Sequence, residues 1–303
     1  MCANHRLKAN IRAITILLSG CLGFTLGGCT YASLELDNGP ERTFPEINAV
    51  PEIQALLPER IRETGRLSIA SELTYPPMEY VGADGRTAIG LDIDIAEAVA
   101  AVFGLEPVVQ AASFDSIIPG LGARYDLGVS AFTITPERLA AVNMVSYLSA
   151  GSQLAVAAGN PLVIDPDYLC GVKIAVQTGT TQHQELQDLN TLECRLDPIV
   201  IYPFDSQGDA TANLIGGRVE AMYADSPITA YAVERAEGVL MELGDIIDAA
   251  PYGFVISESD AELAGAVQVA LQYLINTGML AQIAHAWGSE DALITTAQLN
   301  PEN

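Results

Sequence analysis

Apolar positions along the chain fall into two alternating rhythms. Leu67 to Ser71 carries the two-residue period of a strand. Asp92 to Phe103 places apolar residues at helical spacing and stops at Gly104. Pro107 to Ala111 is extended, Phe114 to Leu121 a short helix, Tyr125 to Ser130 a strand, and Pro136 opens another helix. A second series starts with a strand at Val172 to Val176. It continues with a helix from Thr180, a strand at Ile199 to Tyr202, a helix from Asp209, a strand at Glu220 to Tyr223 and a helix from Ser226. Ala261 to Trp287 reads as two amphipathic helices split at Thr277-Gly278. Strands alternating with helices predict an α/β protein with mainly parallel sheets.

One stretch echoes another. Ala123-Arg-Tyr-Asp-Leu-Gly-Val-Ser-Ala131 resembles Gly217-Arg-Val-Glu-Ala-Met-Tyr-Ala-Asp225. Each is a helix end, an Arg, an acidic residue, an apolar strand and then polar residues. Two lobes built on one plan would present the carboxyl ends of their strands to a shared cleft, where open α/β sheets bind ligands. Convergent patterning of two unrelated α/β units is the alternative.

The N-terminus follows a different pattern. Arg6, Lys8 and Arg12 precede an apolar run from Ala13 to Leu26. At about 14 residues the run is shorter than the roughly 20 needed to span a bilayer, which is the anatomy of a signal peptide. It ends in Leu26-Gly27-Gly28-Cys29, which resembles the lipobox of bacterial lipoproteins. Residues 1–28 are therefore expected to be removed and Cys29 lipidated, placing the protein on the extracytoplasmic face of the cell membrane. Residues 29–60 are expected to form the anchor and tether. An ordinary secretory signal with a chance Cys29 is the alternative.

Charge narrows the function classes. The 303 residues hold 14 Lys plus Arg against 38 Asp plus Glu, a net charge of −24. Such a surface repels nucleic acid and anionic membrane faces. Beyond Cys29 only Cys170 and Cys194 remain. An even pair outside the cytoplasm is expected to form a disulfide, with two buried thiols as the alternative. Asp92 and Asp94 have a metal-like spacing but lack further oxygen ligands, so no metal site is expected, and Asp92 is expected to cap the following helix. No cofactor is expected.

Six blocks in order carry a family resemblance: Thr74-Tyr75-Pro76-Pro77-Met78, Gly90-Leu91-Asp92-Ile93-Asp94, Thr133-Ile134-Thr135-Pro136-Glu137-Arg138, Gly179-Thr180-Thr181-Gln182, Ala224-Asp225-Ser226-Pro227 and Trp287-Gly288. Leu67 to Trp287 resembles family 3 of the bacterial solute-binding proteins, the polar amino-acid receptors of ABC importers. The resemblance implies a two-lobed periplasmic-binding-protein-like fold, type II, with lobe 1 at 61–155 plus 252–303 and lobe 2 at 156–251. Crossovers near Gln153 to Ala157 and Pro251 to Val255 would join the lobes. It also implies a monomer that closes on a ligand and delivers it to membrane permease subunits. Departures at Met78, Leu91 and Ala131 leave the ligand's side chain open.

A zwitterion needs an anion site and a cation site close together. A guanidinium offers a carboxylate two parallel N–H bonds, and the resemblance gives Arg138 that role. Free N–H groups at a helix start favour anions, so Gly179, Thr180 and Thr181 would complete the carboxylate site. Ser130, Ala131, Phe132, Thr133 and Thr178 are implied as further contacts. Asp225 is implied to bind the α-ammonium, and Tyr75 and Phe114 to stack on the side chain. Glu72 aligns with a position that meets the distal charge in members taking basic amino acids, which admits Lys, Arg, ornithine or His.

Two other classes remain as alternatives. Cyclohexadienyl dehydratases look like this family, so a lyase acting on a prephenate-like acid is one. General acid–base work needs a tuned group in the cleft. Beyond Cys29, His183 and His285 lie on helices and Lys173 at a strand start, so no enzyme activity is expected. A ligand-sensing lobe for a receptor is the other.

Overall fold

The computed structural model describes residues 39–40 and 46–301. The signal and lipidation features, from Arg6 to Cys29, lie outside the described residues.

Two short helices, α1 (Pro51–Gln54) and α2 (Glu59–Thr64), lead into strand β1 (Arg66–Ser71). A small antiparallel sheet follows, made of β2 (Thr74–Tyr75), β3 (Glu79–Val81) and β4 (Ala88–Ile89). Then come α3 (Leu91–Phe103), β5 (Glu106–Ala111), α4 (Phe114–Gly120), β6 (Leu127–Gly128) and α5 (Pro136–Leu139). A long strand, β7 (Val142–Ala157), carries the chain into β8 (Lys173–Gln177), α6 (Thr181–Leu192), β9 (Val200–Phe204), α7 (Gln207–Ile215), β10 (Ala221–Asp225) and α8 (Ser226–Arg235). A second long strand, β11 (Leu240–Ser257), returns it to α9 (Ala261–Asn276), α10 (Met279–Ala286) and a final turn at Glu290–Ala292.

One eight-stranded sheet orders these strands β5-β1-β6-β11-β7-β10-β8-β9. Its two ends, β5-β1-β6 and β10-β8-β9, are parallel, as the βα alternation predicts. The ends are the two lobes, and the antiparallel β7 and β11 join them. Pairing of these long strands slips between Leu243 and Ile247, between Ile247 and Ala250, and between Tyr252 and Gly253. Each slip interrupts the ladder and weakens the sheet's resistance to bending there.

The echo has a physical basis. β6 and β10 hold equivalent places, each between a parallel neighbour and one long strand. The Asp126 carboxylate accepts from the Ser68 N–H at 2.9 Å, and the Glu220 carboxylate accepts from the Lys173 N–H at 3.0 Å. In both lobes the echoed acid thus caps the start of the neighbouring strand. The expected strand from Tyr125 to Ser130 is paired only at Leu127 and Gly128. The Val129 N–H still donates to the Ala70 carbonyl at 2.9 Å; beyond it the backbone leaves β1, and Ala131 adopts φ +45°.

Gly90 fixes how α3 meets β3. Its φ is +139°, and a Cβ there would lie 2.1 Å from the Met78 carbonyl oxygen. Gly90→Ala is expected to cost about 3 kcal/mol through backbone strain and displacement, measured by urea denaturation. Asp92 does not cap α3: Gly90 is the N-cap residue, and the Asp92 side chain turns inward. Met78 and Leu91 are core residues, at 1% and 0% exposure, so those two departures bear on packing.

A disulfide joins Cys170 to Cys194 beside the apolar core of the second lobe. It closes a loop around β8 and α6. Replacing both cysteines by serine is expected to lower stability by about 3 kcal/mol, from the loop entropy returned to the unfolded chain. An unchanged denaturation midpoint would contradict that.

Candidate functional site

The two lobes enclose a cavity at the carboxyl ends of β6, β8 and β10, where an α/β sheet exposes its loops. The first lobe contributes Tyr75, Phe114, Ser130, Ala131, Thr133 and Arg138, and the second contributes Gln177, Thr180, Thr181, Gln182 and Asp225. The enclosed space is about 10 Å³, room for about one water. A larger solute does not fit between these side chains as they stand.

Arg138 owes its position to a four-residue helix. Thr135 caps α5, accepting from the Arg138 N–H at 3.2 Å, and Pro136 pre-sets the first turn. The guanidinium then turns back, donating to the Thr133 carbonyl at 2.7 Å and across the lobes to the Gly179 carbonyl at 3.2 Å. Its Cζ lies 5.4 Å from the centre of the Phe114 ring and 5.5 Å from that of Phe132. Carbonyls and ring faces hold the cation in place without cancelling its charge. Burial lowers its pKa, and the Asp225 carboxylate opposite works against that.

Asp225 stands at the N-cap position of α8 but makes no side-chain cap bond. Its carboxylate instead accepts from the Tyr75 hydroxyl at 2.8 Å and from Gln182 Nε2 at 2.8 Å. Tyr75 belongs to the opposite lobe, so this bond also spans the cavity. Burial raises the Asp225 pKa, opposed by these donors and by Arg138. Thr180 does cap its helix: its hydroxyl accepts from the His183 N–H at 3.2 Å and donates to the Gln177 carbonyl at 2.8 Å.

Three residues expected at the site are placed outside the cavity lining. Glu72 is buried behind it, accepting from the Thr74 hydroxyl at 2.8 Å and lying beside Gln177. Burial raises its pKa. Phe132 stacks on Phe114, with centroids 4.5 Å apart. Thr178 donates its N–H to the Phe204 carbonyl at 2.8 Å, a sheet bond. Gln177 and Gln182 line the cavity without having been expected there. Gln182 belongs to the Gly179-to-Gln182 family block, its one signal in the sequence; Gln177 ends the apolar strand β8 and carries none.

Residues 67–290 match the family model described as bacterial extracellular solute-binding proteins, family 3. The chain belongs to that family. The family 3 match runs from β1 to the final turn, so it includes every residue lining the cavity. The arginine-binding protein ArgT of Corynebacterium glutamicum is 36% identical over 284 residues, covering 92% of this chain and 92% of that protein. An ancestral arginine-binding protein bound to arginine aligns with a TM-score of 0.69 at 28% identity, over 74% of this chain and 98% of that one. The ancestral amino acid-binding protein AncCDT-1, a precursor of cyclohexadienyl dehydratase, aligns with a TM-score of 0.69 at 30% identity, over 77% and 99%. As a family 3 extracellular solute-binding protein, the chain works outside the cytoplasm.

Proposed function

We propose that the protein captures L-arginine, or a closely similar basic amino acid, between its lobes and delivers it to the permease of an ABC importer. The observation that carries this reading is the opposition across one cavity of the Arg138 cation and the Asp225 carboxylate, with a third charge, Glu72, buried nearby. The α-carboxylate pairs with Arg138 and the N–H groups that open α6. The α-ammonium replaces the Tyr75 hydroxyl against Asp225. The side chain passes Phe114 and ends at Glu72, beside Thr74 and Gln177. Thr178 contributes through its backbone and Phe132 by supporting Phe114. The name of the C. glutamicum relative supports arginine over other polar amino acids.

The lobes rotate about the slipped pairing of β7 and β11, with 61–155 plus 252–303 moving as one lobe and 156–251 as the other. A ligand that touches both lobes stabilises the closed form by its differential affinity for it. Cys29, lipidated, holds the protein at the outer face of the membrane as a monomer, and residues up to 28 are removed.

A thermal-shift screen of the chain from Thr30 onward against the natural amino acids tests the ligand. Ligands that bind only the folded state raise the melting temperature by mass action. Arginine is expected to give the largest rise, with lysine and ornithine next. A screen in which neutral amino acids shift the protein more than any basic one would contradict the assignment. The precursor relationship of AncCDT-1 motivates a second assay, in which purified protein is expected to leave prephenate and arogenate unconverted.

A further inference from the structure

Two buried carboxyls stand behind the first-lobe wall of the cavity and take none of the ligand roles above. Glu79 on β3 and Asp92 on α3 both have 0% exposure. The close approach at Gly90 brings their elements together. The Ser130 hydroxyl donates to Glu79 Oε1 at 2.6 Å and accepts from the Glu72 N–H at 3.1 Å. The next residue, Ala131, donates its N–H to Asp92 Oδ2 at 2.8 Å, and the Tyr147 hydroxyl donates to Asp92 Oδ1 at 2.7 Å. Ala131 is held at φ +45°, a conformation that L residues other than Asn and Asp seldom adopt. Successive wall residues thus hang on two different buried carboxyls.

Their backbones meet as well, the Asp92 N–H donating to the Met78 carbonyl at 2.8 Å, so the two carboxyls lie close together. Two negative charges side by side in a buried site repel each other, so one of the pair keeps a proton. Asp92 receives an N–H and a hydroxyl, which favour its anion against the upward push of burial. Glu79 Oε2 meets no N–H or hydroxyl donor among the described residues. Burial and the Asp92 charge raise the Glu79 pKa well above the carboxylate range. The donors on Asp92 and the bare Glu79 Oε2 point to Glu79 as the carrier of the proton. The titratable groups facing the pair are Glu72, Tyr75, Tyr147 and Asp225, which are acids or phenols.

We propose that Glu79 and Asp92 share one proton and act as positioning residues for the Ser130–Ala131 edge of the cavity, tying ligand affinity to a proton held outside the site. This rests on Ser130 and Ala131 meeting the ligand, as proposed above. Loss of the proton sets two buried negative charges side by side. Asp92 is then drawn off the Ala131 N–H and the edge relaxes. The sign follows from the raised Glu79 pKa: its contribution to stability is complete at acid pH and is lost as pH rises through the folded-state value.

The test compares arginine binding to wild type and Glu79→Gln by calorimetry from neutral to alkaline pH. The Gln amide can donate to Asp92 and its oxygen can accept from Ser130, so the variant keeps both contacts without titrating. The ligand's own ammonium titrates alike against both proteins, so the ratio of the two Kd values isolates Glu79. Wild type is expected to lose affinity relative to E79Q by about tenfold per pH unit once Glu79 ionises. Infrared difference spectra in D2O at neutral pH are expected to contain a protonated-carboxyl C=O band that E79Q lacks. Parallel Kd curves, or no band lost with Glu79, would overturn the proposal. Parallel curves together with loss of binding in Arg138→Ala would leave the site assignment standing. If wild type fails to bind arginine, the site assignment fails and the infrared band still decides where the proton lies.

Discussion

Asp225→Ala is expected to abolish most arginine binding, weakening it about a thousandfold, while the protein still folds. Truncating one member of a buried, hydrogen-bonded charge pair costs about 2–5 kcal/mol, and in the complex the orphaned member is the ligand's ammonium. Arg138→Ala is expected to have a similar effect by orphaning the α-carboxylate. The dependence on acid pH has a definite sign. Burial raises the Asp225 pKa, and only the carboxylate attracts an ammonium. Affinity is therefore expected to hold at neutral pH and to fall as pH drops through that raised value. In Asp225→Asn this fall is reduced to what Glu72 contributes. The same burial makes the ionised side chain a cost to the unliganded fold at neutral pH, because a raised folded-state pKa means stability is lost as pH rises through it. Asp225→Asn is expected to melt no lower than wild type without ligand, and to gain little from arginine. Calorimetry and melting curves on the same preparations separate the two effects.

Glu72→Gln carries the second large expectation, a change of preference. Arginine is expected to bind this variant about a hundredfold more weakly, in the range of a lost charge-assisted contact in a dry site. Citrulline, which matches arginine in shape but lacks its charge, serves as the control. Wild type is expected to favour arginine strongly over citrulline, and Glu72→Gln to bind the two within about tenfold of each other, since a site built for a charged partner rejects the analogue that lacks it. Equal discrimination by both proteins would remove Glu72 from the ligand's distal end.

The fold was legible where one element carries one period. α3 is apolar on nearly every side and is buried accordingly. The Asp126 and Glu220 echo pointed to equivalent strands because each acid does the same local work on its neighbour. β7 and β11 were not legible as single strands of 16 and 18 residues. They pass from one lobe to the other, so the face they bury changes along their length, and Ser149 to Gln153 interrupts the apolar run at the middle of β7. β2, β3 and β4 are too short to show a period.

Of the cavity lining, Arg138, Thr180 and Asp225 were legible through the family blocks that contain them. Gln177 and Gln182 were not, because an uncharged amide after a strand or inside a helix is ordinary on any surface. The contact between Glu79 and Asp92 was hidden for a different reason. It depends on the backbone approach at Gly90, which no pattern of side chains announces.

The most direct test of arginine capture is calorimetric titration of the chain from Thr30 onward, purified free of bound amino acid, with L-arginine. Saturable binding of one arginine per chain is expected, with a Kd in the micromolar range or tighter, about −8 kcal/mol or more, that is lost in both Arg138→Ala and Asp225→Ala. Absence of binding by the folded wild-type protein, or affinity retained in both variants, would contradict it.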